Sequence, residues 1–237
     1  MLLGLWLRPD LALYAEWVDW CNPPIPLATK VDRTSPRQTR DAEATKAEIL
    51  NAAEEEFAKF GFSGAKTEAI AAKTGVTKAM IYYHFGSKEE LYKAVIQRPA
   101  ADFVNAFGDL ELETMPPEEA LKTVIKVAIA HEISHPHYGR VLLHEAMQNQ
   151  GQYFKLTGWV NPINRVVAVV ERGIQAGIFR PVDPWLAVNH TMGICTFYFN
   201  AQANMRNVQP EFESFTPEAI DRFTESAIAM VLAGLKV

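Results

Sequence analysis

The sequence predicts an all-α protein, with an N-terminal three-helix helix-turn-helix domain followed by a larger C-terminal helical domain. Three observations carry this. Apolar residues recur at helical spacing beyond Arg40, no stretch alternates with the period of two that a strand needs, and Gly or Pro stands at the ends of most periodic segments. With 237 residues, 49% of them hydrophobic, the chain has ample material for a core. No apolar run approaches the roughly 18 residues of a transmembrane helix, so no membrane partner is expected.

Residues 1–40 are expected to be a flexible or poorly ordered extension. Met1 to Leu7 is apolar and Trp6, Trp17 and Trp20 are present, but Arg8, Pro9, Asp10, Glu16 and Asp19 interrupt the stretch. It lacks the basic start, long apolar run and small-residue cleavage site of a signal peptide. From Cys21 to Arg40, Pro23, Pro24, Pro26 and Pro36 mark a linker that also carries Lys30, Arg33, Arg37 and Arg40. Those basic residues are either a solvated tail or an arm for phosphates and the minor groove.

The next unit spans 41–97. Ile49, Leu50, Ala53, Phe57 and Phe60 recur at helical spacing with Glu54, Glu55 and Glu56 opposite, and Gly61 is expected to stop the helix. A short helix follows from Thr67 to Thr74, closed by Gly75, and another runs from about Thr77 to Phe85. Ser87 with Glu90 three residues on matches a capping box for a fourth helix, which Pro99 is expected to end or kink. Residues 98–237 read as helices over Pro117 to Ser134, Pro136 to Gln150, Tyr153 to Ala176, Pro184 to Asn204 and Pro217 to Ala233.

Charge and cysteine usage narrow the function. The net charge of −5 is wrong for a uniformly basic nucleic-acid binder, yet its distribution is uneven. Lys59, Lys66, Lys73, Lys78 and Lys88 face one acid, Glu68, between 59 and 88, whereas residues 99–237 carry ten basic and fifteen acidic side chains. Cys21 and Cys195 stand far apart and in no metal spacing, which fits a reducing cytoplasm.

The segment from Ala69 to Phe85 is the informative one. Gly75 supplies the tight turn between two short helices, Ala71 lets them approach, and Ile70, Val76, Ile81 and Phe85 are expected to bury. Thr77, Lys78, Met80, Tyr83 and His84 are left wholly or partly outward, an unusual strip of donors and aromatics. In a helix-turn-helix the second helix enters the major groove of DNA, and its N-terminus attracts a phosphate.

With Ile49, Leu50, Ala53, Phe57, Gly61, Ile70, Ala71, Gly75 to Lys78, Tyr82, His84, Phe85, Ser87, Lys88 and Leu91 in place, the chain resembles the TetR family of bacterial regulators. The resemblance implies that Thr67, Tyr82, His84 and Lys88 contact phosphates and that Thr77, Lys78, Met80 and Tyr83 lie on the groove floor. Lys78 has the chemistry to donate to guanine, Tyr83 to hydrogen-bond or pack on a thymine methyl, and Met80 only to make apolar contact. The family often has Gly at the position of Ala79 and a small hydroxyl residue at that of Met80, which leaves the operator sequence open. It further implies a homodimer on a palindromic double-stranded operator, repression, and a small-molecule effector held by the C-terminal helices. No cofactor, no catalysis and no metal is expected. The helices centred near residues 195 and 225 are the dimerisation candidates, with that from Tyr153 to Ala176 a possible third.

Effector-binding residues cannot be assigned from the sequence. His131, His144, Tyr153, Trp159, His190, Cys195, Tyr198 and Asn200 are pointers only, because aromatics at helical spacing mostly just pack. His131, Glu132 and His135 match the H-E-x-x-H pattern of zinc hydrolases, but Pro136 is expected to end the helix at the second histidine. A zinc enzyme and a helical interaction module without DNA affinity are the competing classes.

Overall fold

The computed structural model describes residues 36–211 and 215–237, with side chains from residue 42 onward, so the expected extension lies outside the described residues through position 35. The chain divides into units 1–41 and 42–237, of which the second carries both hydrophobic cores. Helix α1 covers Pro36–Gly64. Gly61 breaks the regular helix as the sequence suggests, taking φ 67° and ψ −179°, and one further turn follows across the kink to Gly64. Glycine is favoured because a φ of 67° is strained for any residue with a Cβ, and the Gln148 amide occupies the space a Cβ would take.

Helix α2 (Thr67–Thr74) ends at Gly75, whose φ of 72° turns the chain into α3 (Lys78–Phe85). Ser87 caps α4 (Lys88–Gly108), its hydroxyl accepting from Glu90 N at 3.1 Å. Ile49, Ala53 and Phe57 of α1 meet Ile70 of α2, Ile81 and Phe85 of α3, and Leu91, Tyr92 and Val95 of α4 in the first core. Pro99 neither ends α4 nor marks its boundary, and the helix runs on for nine residues to Gly108. Proline removes one hydrogen bond, but tertiary contacts hold the segment: Tyr138 Oη donates to Ile96 O (3.0 Å) and His131 Nε2 to Pro99 O (2.9 Å).

Helix α5 (Pro117–Ser134) has proline in its first turn, and α6 covers Tyr138–Asn149, starting two residues later than the sequence suggests. The expected helix from Tyr153 to Ala176 is two pieces, a 3₁₀ turn at Phe154–Thr157 and α7 at Val160–Gln175, parted by Gly158 at φ 71°. Helix α8 (Pro184–Asn200) is shorter than expected, giving way at Ala201 to α9 (Gln202–Val208). Helix α10 covers Pro217–Leu235, capped by Thr216. Leu121 and Ile125 of α5, Val166, Val169 and Val170 of α7, Val188 and Cys195 of α8, and Val231 and Leu232 of α10 share the second core.

Two polar clusters fasten α4, one to α6 and the other to α1. Glu145 of α6 is 1% exposed, and its carboxylate accepts from Tyr92 Oη (3.0 Å), Asn149 Nδ2 (2.6 Å) and Tyr153 N (2.6 Å). Arg98 of α4 donates to Asn51 Oδ1 (2.7 Å) and Glu54 Oε2 (2.8 Å) of α1.

Candidate nucleic-acid interface

Helix α3 buries one side and shows the other. Ile81 and Phe85 seat it on the first core, while Thr77, Lys78, Met80, Tyr82 and Tyr83 are exposed, Tyr83 most of all at 82%. The Thr77 hydroxyl caps the helix by accepting from Met80 N at 3.2 Å. Lys78 pairs with Glu68 of α2, its ammonium lying 5.7 Å from the Tyr82 ring. The carboxylate raises the affinity of that lysine for its proton, and both groups stay in solvent.

His84 and Lys88 are half-buried at the far end of α3. The His84 ring packs edge-on against Tyr83, 5.4 Å between centroids. Lys88 Nζ reaches Ser63 O at 3.5 Å and sits over the Phe62 ring at 5.2 Å. Thr67 differs from the other seven in being buried; its Oγ1 lies 3.4 Å from Tyr82 Oη and so engages the hydroxyl end of that side chain. Sequence reasoning overlooked Glu68, since its partner Lys78 is ten positions away on another helix. The one usable signal was that Glu68 is the lone acid in that basic stretch.

A cavity of about 60 Å³ lies between α4, α5, α7 and α8. Of the eight sequence pointers His131, Trp159 and Cys195 line it, and Asn200 reaches its edge by donating to Glu132 at 3.3 Å. Tyr153 packs on Tyr92, His144 bonds Gln148, His190 is exposed and Tyr198 stacks on Phe223. Glu132, Met192 and Thr196 also line the cavity and were overlooked as pointers. Burial pushes His131 down to about 4, leaving a neutral ring that donates to Pro99 O. Burial pushes Glu132 up to about 7, against the hydrogen bonds from Asn200 and Thr196.

Each residue of the H-E-x-x-H pattern has a protein partner of its own. His131 turns to α4 and Glu132 to α8. His135, the residue that ends α5, stands 3.5 Å from Asp102. Among the described residues no group of three His, Cys, Asp or Glu side chains is placed to hold an ion. No described helix is long and apolar enough to cross a membrane.

A helix-turn-helix with an outward polar and aromatic edge, followed by helices around a buried cavity, defines a DNA-binding transcriptional regulator. Residues 49–95 match the family model described as bacterial regulatory proteins, tetR family, and residues 117–231 match that of the tetracyclin repressor-like C-terminal domain. The chain belongs to the TetR family of bacterial regulators, whose members are not enzymes. It is 30% identical over 167 residues to the HTH-type transcriptional regulator RutR of Escherichia coli, covering 67% of this chain and 78% of RutR. It is 29% identical over 168 residues to the HTH-type transcriptional repressor NicS of Pseudomonas putida, covering 68% and 78% respectively. The solved structure of the ketosteroid transcriptional regulator KstR2 of Mycobacterium tuberculosis shares the fold at a TM-score of 0.67, with 20% identity over 90% of this chain and all of that one (100%).

Proposed function

We propose that this regulator is a cytoplasmic repressor that binds a palindromic operator as a homodimer and leaves it when a small molecule enters the C-terminal cavity. The carrying observation is the outward edge of α3, where Thr77, Lys78, Met80 and Tyr83 stand free of the core in the position from which a second helix meets base edges. Tyr82, His84 and Lys88, with Thr67 behind Tyr82, are assigned to phosphates. The DNA-binding part is taken as residues 41–97 and the effector and dimerisation part as 98–237. A two-fold dimer through α8 and α10 places half-sites about one helical turn, roughly 34–36 Å, apart.

Release needs only that the effector prefer the arrangement unfit for DNA. A physical link exists: the cavity wall His131 holds the Pro99 carbonyl, and the adjoining Arg98 holds Glu54 and Asn51 of α1. Gel-shift titration at several salt concentrations tests the DNA contacts. Lys88→Ala is expected to weaken binding to all duplexes and lower the slope of log affinity against log salt by about one. Tyr83→Ala is expected to change which base is preferred, by about 1–3 kcal/mol. Equal loss of specific and nonspecific binding in Tyr83→Ala refutes its base-reading role.

A further inference from the structure

The cavity carries information about its ligand. Phe103, Phe107, Ile163, Val166 and Val188 make most of its wall apolar. Trp159 also lines it, and its Nε1 is buried without an acceptor among the described residues. A buried indole N–H with no protein acceptor gains from any acceptor placed against it, so an occupant with an oxygen acceptor is favoured over one without. A single water needs roughly 10–15 Å³ of such space, so about 60 Å³ holds more than one water but is smaller than the roughly 150 Å³ that encloses benzene, and a one-ring occupant has to extend through the open side of the pocket.

Charge narrows the class further. No Lys or Arg is among the described lining residues, His131 is a neutral ring already bonded to Pro99 O, and the remaining titratable wall groups are the Glu132 carboxyl and the Cys195 thiol, which burial pushes up to about 12 and so keeps neutral. An anion entering here would lose its water, find no cation, and face a carboxyl.

We propose that the cavity binds a compact, uncharged, largely apolar molecule bearing a hydroxyl or carbonyl oxygen that accepts from Trp159 Nε1, and that it rejects carboxylates of the same size. This rests on the cavity being the effector site. The elevated affinity of Glu132 for its proton agrees with an uncharged occupant, to whose oxygen the neutral carboxyl can donate.

Titration calorimetry of the full chain with p-cresol, toluene and benzoate, which share a ring and differ in polarity, tests the proposal. p-Cresol is expected to bind about 5- to 10-fold more tightly than toluene, the worth of one hydrogen bond, and benzoate not at all at the same concentrations. Trp159→Phe keeps an apolar ring without the donor, and should bring p-cresol down to toluene while leaving toluene within twofold. In the parent protein the Trp159 indole N–H resonance should move with p-cresol and not with toluene, a readout that does not depend on the variant folding. Benzoate binding on a par with p-cresol, toluene binding as tightly as p-cresol, an unmoved indole resonance, or no binding of any of the three overturns the proposal. Gel shifts of the unliganded parent separate this from the DNA-binding reading, which fails only if duplex binding itself is missing.

Discussion

Glu132 is the side chain through which the cavity reports on pH. Its carboxyl binds its proton up to about pH 7 in the folded chain, against 4.5 for an ordinary glutamate. The stability it contributes is therefore complete below the lower value and lost as pH rises through the higher one. Glu132→Gln, which carries no ionisable proton, is expected to gain on the order of 2 kcal/mol over the parent between pH 5 and pH 8, read from urea unfolding at both. His131 and His135 act in the opposite sense. Burial pushes each from 6.5 down to about 4, so what they contribute is present above the first value and lost as pH falls through the second. Because both histidines remain in parent and variant, the difference between the two curves isolates the carboxyl. An identical pH dependence in the two proteins would show that Glu132 is ordinarily ionised.

At the scale of elements, α6 is held against α4 by a buried carboxylate rather than by apolar contact alone. Glu145→Ala strands the hydroxyl of Tyr92, the amide of Asn149 and the backbone N–H of Tyr153, and is expected to cost about 3 kcal/mol or more. A loss of unfolding free energy in urea below about 1 kcal/mol would mean water reaches these donors. Such long-range ties explain which elements were legible in the sequence. Thr67–Thr74, the Ser87 cap, the start of α8 at Pro184 and Pro117–Ser134 are set by local chemistry, a cap or a proline in a first turn, and agree with the sequence. Pro99 and Gly158 misled, whereas Gly61 breaks its helix where the sequence places the break. Tyr138 and His131 bridge Pro99, Gln148 packs against Gly61, and nothing local shows that Gly158 divides the 3₁₀ turn from α7. The outward edge of α3 was legible since one eight-residue helix carries it. The cavity was not, for four helices each lend it a few ordinary residues, and only Trp159, His131 and Cys195 stood out.

At the scale of the whole molecule, large apolar side chains remain uncovered on the helices assigned to dimerisation. Phe197 is 64% exposed on α8 and Met230 62% exposed on α10, with Trp185 and Leu186 uncovered at the start of α8. Surfaces of this kind mark a partner. Phe197→Glu is expected to yield a monomer by sedimentation equilibrium and to lower operator affinity at least tenfold, since a single half-site holds one recognition helix. A dimer that survives the change would place the interface elsewhere. The lysines of the helix-turn-helix, meanwhile, are not all free for phosphates. Lys78 holds Glu68 and Lys73 holds Glu55, so two of the five positive groups between 59 and 88 carry acidic companions into any encounter with a duplex. On the proposed reading, those carboxylates offset part of the lysines' attraction to the phosphates of unrelated sequence. On the same reading, a guanine edge under Lys78 gives that ammonium an acceptor in exchange for Glu68.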